Sequence, residues 1–385
     1  MVGMRDVARQ AGVSLSTVSL VVNGSGYVSA RMRARVEAAM ESLNYVPNEL
    51  ARNLYRNRTN MVGVIVPTVR HPFFATMVAG LQGRLSEAGF RTVLCSTAGM
   101  GSGEERYVDM LRRRMMDGIV MGGRTSHPAD YWASVNRPIV AFGRYLGPSI
   151  PSVSSDHEQG GELAATMFAL SGVRHVVEVG GPRSRCGEPS SRAPVDGDAG
   201  FPPIRYHQAF ERTLDMAGIR WDYLEVPENG DCEACGRAAQ EAFERFPEAD
   251  AIVAPDMAAA FCVQEALRRG IRIPDHVQIL AYDGTYVTDL AGMRITSILQ
   301  DFDAIADKVS QRMIAAITGV GGRGAGGMAA GASEASLGGL SGGLSAGPAG
   351  VVADLVPMQV KIGETTRMTD AVHQLLFGGV RPQTD

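Results

Sequence analysis

Lysine is nearly missing from this sequence: two of its 37 basic residues, Lys308 and Lys361, are lysines, and arginine supplies the rest. That bias fits GC-rich coding and excludes nothing structural. Other absences exclude more. No apolar run reaches the roughly 18 residues of a membrane-spanning helix, so no membrane partner is expected. The amino-terminal stretch lacks the apolar core of a secretory signal, and the expectation is a cytoplasmic protein. Five cysteines, at 95, 186, 232, 235 and 262, are odd in number and scattered, as reduced thiols would be. Cys232 and Cys235 form a CxxC, but no second ligand pair stands near to complete a metal site. A Gly-rich phosphate loop, a nucleophile elbow and a metal-spaced histidine cluster are all missing, and the seven histidines are dispersed. The reading is therefore a non-enzyme with no cofactor and no metal.

What is present is a chain of 385 residues, 45% hydrophobic, long enough for a large core in two or three domains. Its charge is unevenly placed. Residues 1–60 hold eight arginines against Asp6, Glu37, Glu41 and Glu49, a balance of +4. The whole chain is −4, so residues 61–385 carry −8. An acidic body with a basic end is the asymmetry expected when only that end meets phosphate, and such binding weakens steeply with salt.

The basic end has a specific layout. Val7, Ala8, Ala11 and Val13 give a first short helix one apolar face. Gly12 permits a tight turn, and Ser14 suits the N-cap of a second helix. Val18, Val21 and Val22 face inward there, leaving Leu15, Ser16, Thr17, Ser19, Leu20 and Asn23 outward. Two helices meeting at such a turn fit a helix-turn-helix, whose second helix enters the major groove, or else an ordinary small helical pair. Hydroxyls and the Asn23 amide suit phosphate oxygens. Ser29 caps a third helix running from Ala30 to Leu43, followed by Asn44-Tyr45-Val46-Pro47-Asn48.

DVARxAGVSxxTVSxVVN, the VSxxxRxxVxxAMxxLNYVPN run and the AxxL after it resemble the lactose-repressor (LacI/GalR) family of bacterial regulators. The resemblance implies DNA contacts from Ser14, Leu15, Ser16, Thr17, Ser19, Leu20, Asn23 and Tyr27. It also implies a hinge helix at about 48–55, carrying Asn48, Ala51 and Leu54, that orders on operator DNA. Leu54 aligns with the leucine that family members wedge between central base pairs, a device that kinks the duplex. Most members carry arginine where this chain has Leu20. Arginine can make a bidentate contact to guanine, whereas leucine offers apolar contact, for instance to a thymine methyl.

From Met61 onward, apolar strands alternate with amphipathic helices: Val62–Pro67 strand, Phe73–Gly89 helix, Arg91–Ser96 strand, and so on to Val277–Ala281. That alternation means parallel sheets covered by helices on both faces. Two successive sets suggest two lobes with a ligand crevice at the strands' carboxyl ends. His71-Pro72-Phe73-Phe74, Asp156 with Gly160-Gly161, Ile279–Gly284 and Thr296–Asp301 are similar to family segments. The implied fold class is an all-α helix-turn-helix headpiece plus an α/β, periplasmic-binding-protein-like body of two doubly wound parallel-sheet lobes. The expected domains are 1–46 for DNA binding, 47–60 for hinge and linker, and 61–385 for effector binding and dimerisation. Crossovers are placed near 160, 290 and 320, giving a first lobe of 61–159 and 291–320 and a second of 160–290 and 321–385.

The resemblance also places an effector pocket on Phe73, Phe74, Arg205, Tyr206, Cys232, Asp256 and Asp283. Several positions depart from the family. Its pocket arginine falls on Tyr206, with Arg205 one place off. A frequent aromatic wall falls on Cys232, an asparagine becomes Pro255, and a first-lobe acid becomes Gly143 followed by Arg144. By their own surroundings Arg144 and Arg205 read as surface residues. For Asp283 the alternative is a turn aspartate before Gly284, and for the phenylalanines plain core packing. Residues 183–203 read as a disordered loop, with a pocket lid as the alternative. The Gly/Ala/Ser-rich stretch 319–350 reads as a flexible excursion, after which Val351–Ile362 resumes as strand.

The resulting expectation is a homodimeric transcription factor, a repressor on a near-palindromic operator, controlled by a carbohydrate. A nucleobase or other metabolite is the alternative effector. A solute-binding protein for uptake would explain the body but leaves residues 4–54 without a role.

Overall fold

The computed structural model describes residues 2–24, 26–47, 58–98, 103–182, 203–226, 231–319 and 353–378. The expected hinge helix, with Asn48, Ala51 and Leu54, lies outside the described residues, as do nearly all of both insertions.

Three helices open the chain. α1 (Met4–Ala11) and α2 (Leu15–Asn23) meet at Gly12, whose φ of +59° is left-handed. A Cβ there would stand 2.8 Å from the Arg35 guanidinium, so both backbone and space favour glycine. Arg35 belongs to α3 (Ala30–Ser42) and donates from Nη2 to the carbonyls of Ala11 (2.6 Å) and Gly12 (3.3 Å). It thereby closes groups that the end of α1 leaves without helical partners. Ser14 Oγ accepts from Thr17 N at 3.1 Å, and Ser29 Oγ from Met32 N at 3.4 Å, which caps α2 and α3. Val7, Val18 and Val36, one from each helix, are fully buried at the centre.

The body begins with β1 (Met61–Val66), α4 (Pro72–Glu87), β2 (Arg91–Ser96), α5 (Gly103–Arg112), β3 (Gly118–Met121), α6 (Ala129–Ser134), β4 (Ile139–Phe142) and β5 (Ser152–Ser155). It continues with α7 (His157–Leu170), β6 (His175–Gly180), α8 (Pro203–Met216), β7 (Arg220–Glu225), α9 (Cys232–Arg245), β8 (Ala251–Pro255), α10 (Asp256–Arg268), β9 (Gln278–Asp283) and β10 (Thr296–Leu299). Then come α11 (Phe302–Thr318), β11 (Ala353–Val356), β12 (Gln359–Lys361) and α12 (Asp370–Phe377).

The strands form two six-stranded sheets, ordered β11-β5-β4-β3-β1-β2 and β12-β10-β9-β8-β6-β7. All pairings are parallel except β12 with β10. Their apolar runs follow from this, because a parallel sheet is covered on both faces. In β1, Val62, Val64 and Val66 pack with Leu81, Ile305 and Met313 on one face. Ile65 packs with Ile119, Met121 and Trp132 on the other. The second sheet divides the same way, Val176, Val253 and Leu280 facing Phe168 and Phe210, Val177, Ile252 and Ile279 facing Val263 and Phe243.

The lobe boundaries differ from the sequence expectation. β10, at 296–299, pairs with β9 in the second sheet, so the second crossing falls near 300 and not 290. β11 returns to the first sheet beside β5, and the third crossing falls near 357 and not 320. An apolar run reveals which face is buried but not which open sheet edge the strand joins. The three crossings lie side by side: Asp156 N donates to Val356 O at 2.8 Å, Met358 N to Gln159 Oε1 at 2.8 Å, and Ser155 Oγ to Gln300 Oε1 at 2.7 Å.

Candidate functional site

Two surfaces stand out, one on each part of the chain. On the headpiece, α2 carries no charged residue in its first or last turn. Ser14, Leu15, Ser16 and Tyr27 are exposed around its start, Tyr27 almost wholly so at 92%. Thr17, Ser19, Leu20 and Asn23 are half-buried. Ser14 Oγ also lies within hydrogen-bond distance of Ser16 Oγ (2.7 Å) and Thr17 Oγ1 (2.8 Å), and Asn23 Nδ2 donates to Ser19 Oγ at 3.1 Å. An uncharged helix with an exposed amino-terminal end offers a positive pole to phosphate. Leu20 does not project as freely as the sequence implied: it lines a shallow recess with Thr17, Tyr27, Val28, Ser29 and Met32.

On the body, a cavity of about 830 Å³ lies between the lobes. Its first-lobe wall is built at the carboxyl ends of β1, β3 and β4, with Arg70, Gly122, Arg124 and Arg144, and by the first turn of α4. His71 caps α4 through Nδ1, accepting from Phe73 N at 3.3 Å, which holds Phe73 and Phe74 at the mouth. Phe73 sits 5.0 Å from Phe74 and 5.6 Å from Phe302, ring centre to centre. Arg144 is 9% exposed, and its Nε donates to Gly123 O at 3.3 Å. Burial depresses its pKa to about 10, since taking a guanidinium out of water disfavours the charge.

The second-lobe wall comes from β6, β7, β9 and the starts of α8 and α9. Glu178 is 1% exposed; its Oε1 lies 2.5 Å from His207 Nδ1. Its Oε2 and the Tyr206 hydroxyl, both buried, have no hydrogen-bond partner among the described residues. Tyr206 packs parallel to Phe210 at 5.8 Å and lies 4.0 Å from Tyr282. This placement depends on Gly161: a Cβ there would come within 2.3 Å of Tyr206 O, so α7 and α8 approach closer than any side chain allows. The Tyr282 hydroxyl is bound to His157 Nδ1. Burial, with the charges of Arg144 and Arg205 adding, depresses the His157 pKa to about 3.

Asp283 ends β9 with φ at +102°, an unusual backbone state for a residue with a side chain, of the kind that clusters at functional sites. Its Oδ1 accepts from Gln300 Nε2 at 2.6 Å, and its carbonyl accepts from Gln300 N at 3.0 Å. Burial and then neighbouring Asp256 push its carboxyl well above the ordinary range, against the Gln300 hydrogen bond. Gln300 also receives the Ser155 bond, so one side chain joins the site residue to the first-lobe strand across the hinge.

The comparisons with known proteins follow this division. Residues 3–48 match the model for "Bacterial regulatory proteins, lacI family", and residues 59–326 that for "Periplasmic binding proteins and sugar binding domain of LacI family". The chain belongs to the LacI family. As a LacI-family member it is a DNA-binding transcriptional regulator with a periplasmic-binding-protein-like body. It is 31% identical to the sucrose operon repressor of Streptococcus mutans over 307 residues, 79% of this chain and 89% of the relative. It is 32% identical to the ribose operon repressor of Bacillus subtilis over 285 residues, 74% and 82% of the two chains. Among solved structures, the lac repressor dimer bound to operator and the anti-inducer ONPF superposes with a TM-score of 0.72 at 21% identity, covering 95% and 99% of the chains. A cellobiose complex of the transcriptional regulator CelR gives 0.60 at 24% identity, covering 95% and 100%. At these identities the structures speak for the fold alone.

Of the pocket residues that the LacI resemblance nominated, Phe73, Phe74, Tyr206, Cys232 and Asp283 line the cleft, Cys232 at its rim. Arg205 is exposed and does not line it. Asp256 is buried behind the wall, its carboxylate accepting from Gly284 N (3.0 Å), Thr285 N (2.6 Å) and Thr285 Oγ1 (2.6 Å). Its work is to hold the turn that aims Asp283. Arg144, read as surface, is instead buried and faces the cleft. Sequence reasoning missed Arg124, Glu178, His207 and Gln300. For Glu178 a signal existed: one carboxylate inside the apolar run Val176–Val179, where a fully buried strand has no use for charge.

Proposed function

We propose that the protein is a homodimeric repressor whose α2 enters the operator major groove and whose interlobe cleft binds a carbohydrate effector. The observation carrying this reading is the pairing, in one chain, of an exposed, uncharged recognition helix with a cleft at the strands' carboxyl ends that carries aromatic and charged side chains. Around α2, the hydroxyls of Ser14, Ser16, Thr17 and Ser19, the Asn23 amide and Tyr27 suit phosphates and base edges, while Leu15 and Leu20 offer apolar contact. The names of the sucrose and ribose operon repressors support both repression and a sugar. In the cleft, carboxylates accept sugar hydroxyls and the aromatic rings pack against C–H faces. Each subunit reads one half-site, so the operator is near-palindromic. Asn48, Ala51 and Leu54 complete the reading as a hinge helix at the operator centre, with Leu54 as the wedge. Effector shifts the balance only through unequal affinity for the DNA-competent and released states.

The test is selection by the full-length protein from a pool of random duplexes, followed by gel shift across salt and a sugar panel. A near-palindromic site whose affinity falls steeply with salt, and which a sugar releases, is expected. Failure to enrich any duplex would overturn the reading. Leu54→Ala should weaken binding to the selected site while sparing much of the nonspecific affinity.

A further inference from the structure

The two walls of the cleft carry opposite charge. Arg70, Arg124 and Arg144 line the first-lobe side; the carboxyls of Glu178, Asp231 and Asp283 line the second-lobe side, that of Asp283 held well above the ordinary range by burial. A neutral sugar needs hydroxyl acceptors and donors, which the second wall supplies on its own. Three guanidinium groups on the concave surface opposite, one of them 9% exposed, bring more positive charge than the donors that neutral hydroxyls require. Guanidinium groups are donors without acceptor capacity, shaped for carboxylate and phosphate oxygens. A cleft lined on one side by one sign of charge focuses the field between low-dielectric walls.

The second wall is equally specific. Glu178 and Tyr206 line the cavity, and Glu178 Oε2 and the Tyr206 hydroxyl, both closed to solvent, lack partners among the described residues. A buried carboxylate oxygen without a donor is costly until a ligand supplies one. A ligand hydroxyl that reaches them would give Glu178 Oε2 a donor and the Tyr206 hydroxyl an acceptor. An anion could not sit there, because it would face Glu178 in a site stripped of water.

We propose that the effector is an acidic sugar derivative, a sugar carboxylate or sugar phosphate, with its anionic group on the first-lobe arginines and its hydroxyls on Glu178, Tyr206 and Asp283. This rests on the cleft being the effector site, and deepens that reading by naming the chemical class. Such a ligand touches both lobes with different groups, so it favours the closed arrangement more than either half could.

Calorimetry on the full-length protein with matched sugars tests the proposal: glucose with glucuronate and glucose 6-phosphate, galactose with galacturonate, ribose with ribose 5-phosphate, and inorganic phosphate as control. In at least one set the acidic member should bind ten-fold or more tightly than the neutral one. Carboxylate and phosphate arms separate the two sources of charge. Arg144→Gln should remove that preference, and Arg144→Lys should keep part of it. Glu178→Gln should weaken every sugar while leaving the preference for the acidic member intact. Silence of all acidic members, equal or tighter binding of neutral ones, or an acidic preference untouched by Arg144→Gln would each overturn the proposal. Tight neutral-sugar binding with operator release would leave the proposed function standing while this inference fell; failure to enrich DNA would do the reverse.

Discussion

The headpiece and the cleft solve recognition in contrasting ways. The headpiece presents its ligand-facing residues on the outside of a core made by neighbours in sequence, Val7, Val18 and Val36, and its recognition helix is almost free of charge. The cleft gathers buried residues from strands far apart in the chain, Arg144 and Glu178 among them, and leaves a Glu178 oxygen without a partner among the described residues. The contrast teaches where each surface gets its selectivity. An exposed face reads a partner by shape and can be changed one residue at a time. A buried polar site reads by making unsatisfied groups whole, so errors there cost more.

That difference can be broken or sharpened by experiment. The largest effect is expected from Asp283→Asn, which replaces the carboxyl by an amide but keeps the side-chain shape at the strained end of β9. Effector affinity should fall about 100-fold, on the order of 3 kcal/mol, with effector-free DNA binding unchanged in gel shift. A parallel loss of DNA binding would mean the two regions are not separable. Next comes Leu20→Arg. It should shift preference at one base pair of the selected half-site by roughly 1–3 kcal/mol. Identical selected sites would show that this half-buried side chain does not reach the bases.

Gln300→Leu cuts the connection from Ser155 to Asp283 at the hinge. Effector should still bind, within several-fold, but release less of the bound operator at saturation, a coupling loss of about 1–2 kcal/mol. Release equal to the parent protein's would remove the hinge role. The smallest effect is in pH. The His157 pKa is depressed to about 3 in the fold from an ordinary 6.5, so the unfolded chain binds more protons between those values. Its contribution is present above pH 6.5 and is lost as pH falls toward 3. Asp256 acts oppositely: burial raises its pKa from 3.8 to about 6, so stability declines as pH rises through that window. Thermal melts of His157→Gln should therefore show less acid destabilisation between pH 7 and 4 than the parent; equal slopes would mean that His157 is not buried neutral.

The legibility of the two regions follows the same physics. The helix-turn-helix is local: Gly12, the Ser14 and Ser29 caps and the valine spacing lie within one short stretch, and each acts on neighbours a few residues away. Even there, Arg35 entered only as one charge of the basic end, and the fold makes it the clamp on the α1 turn, with partners 23 and 24 residues upstream. In the body, strand and helix positions followed from periodicity, but sheet membership of β10 and β11 did not. The pocket split similarly. Phe73, Phe74, Tyr206, Cys232 and Asp283, nominated by motif, line the cleft. Asp256 and Arg205 do not, since one faces the turn it holds and the other faces solvent.

By itself the sequence determined the class of this protein: a helix-turn-helix tied to alternating strands and helices, with a net positive balance in the first 60 residues and a net negative one in the rest. Those features rest on hydrophobic period, turn chemistry and capping, which act over a few residues and are written in order along the chain. The character of the cleft was decided by the tertiary structure alone. Charge sorted onto opposing walls, the unsatisfied Glu178 and Tyr206 oxygens, and the Gln300 bridge exist because parallel sheets bring strand ends together from across the chain. Burial and neighbours set the chemistry of those groups, and neither is fixed until the lobes are packed.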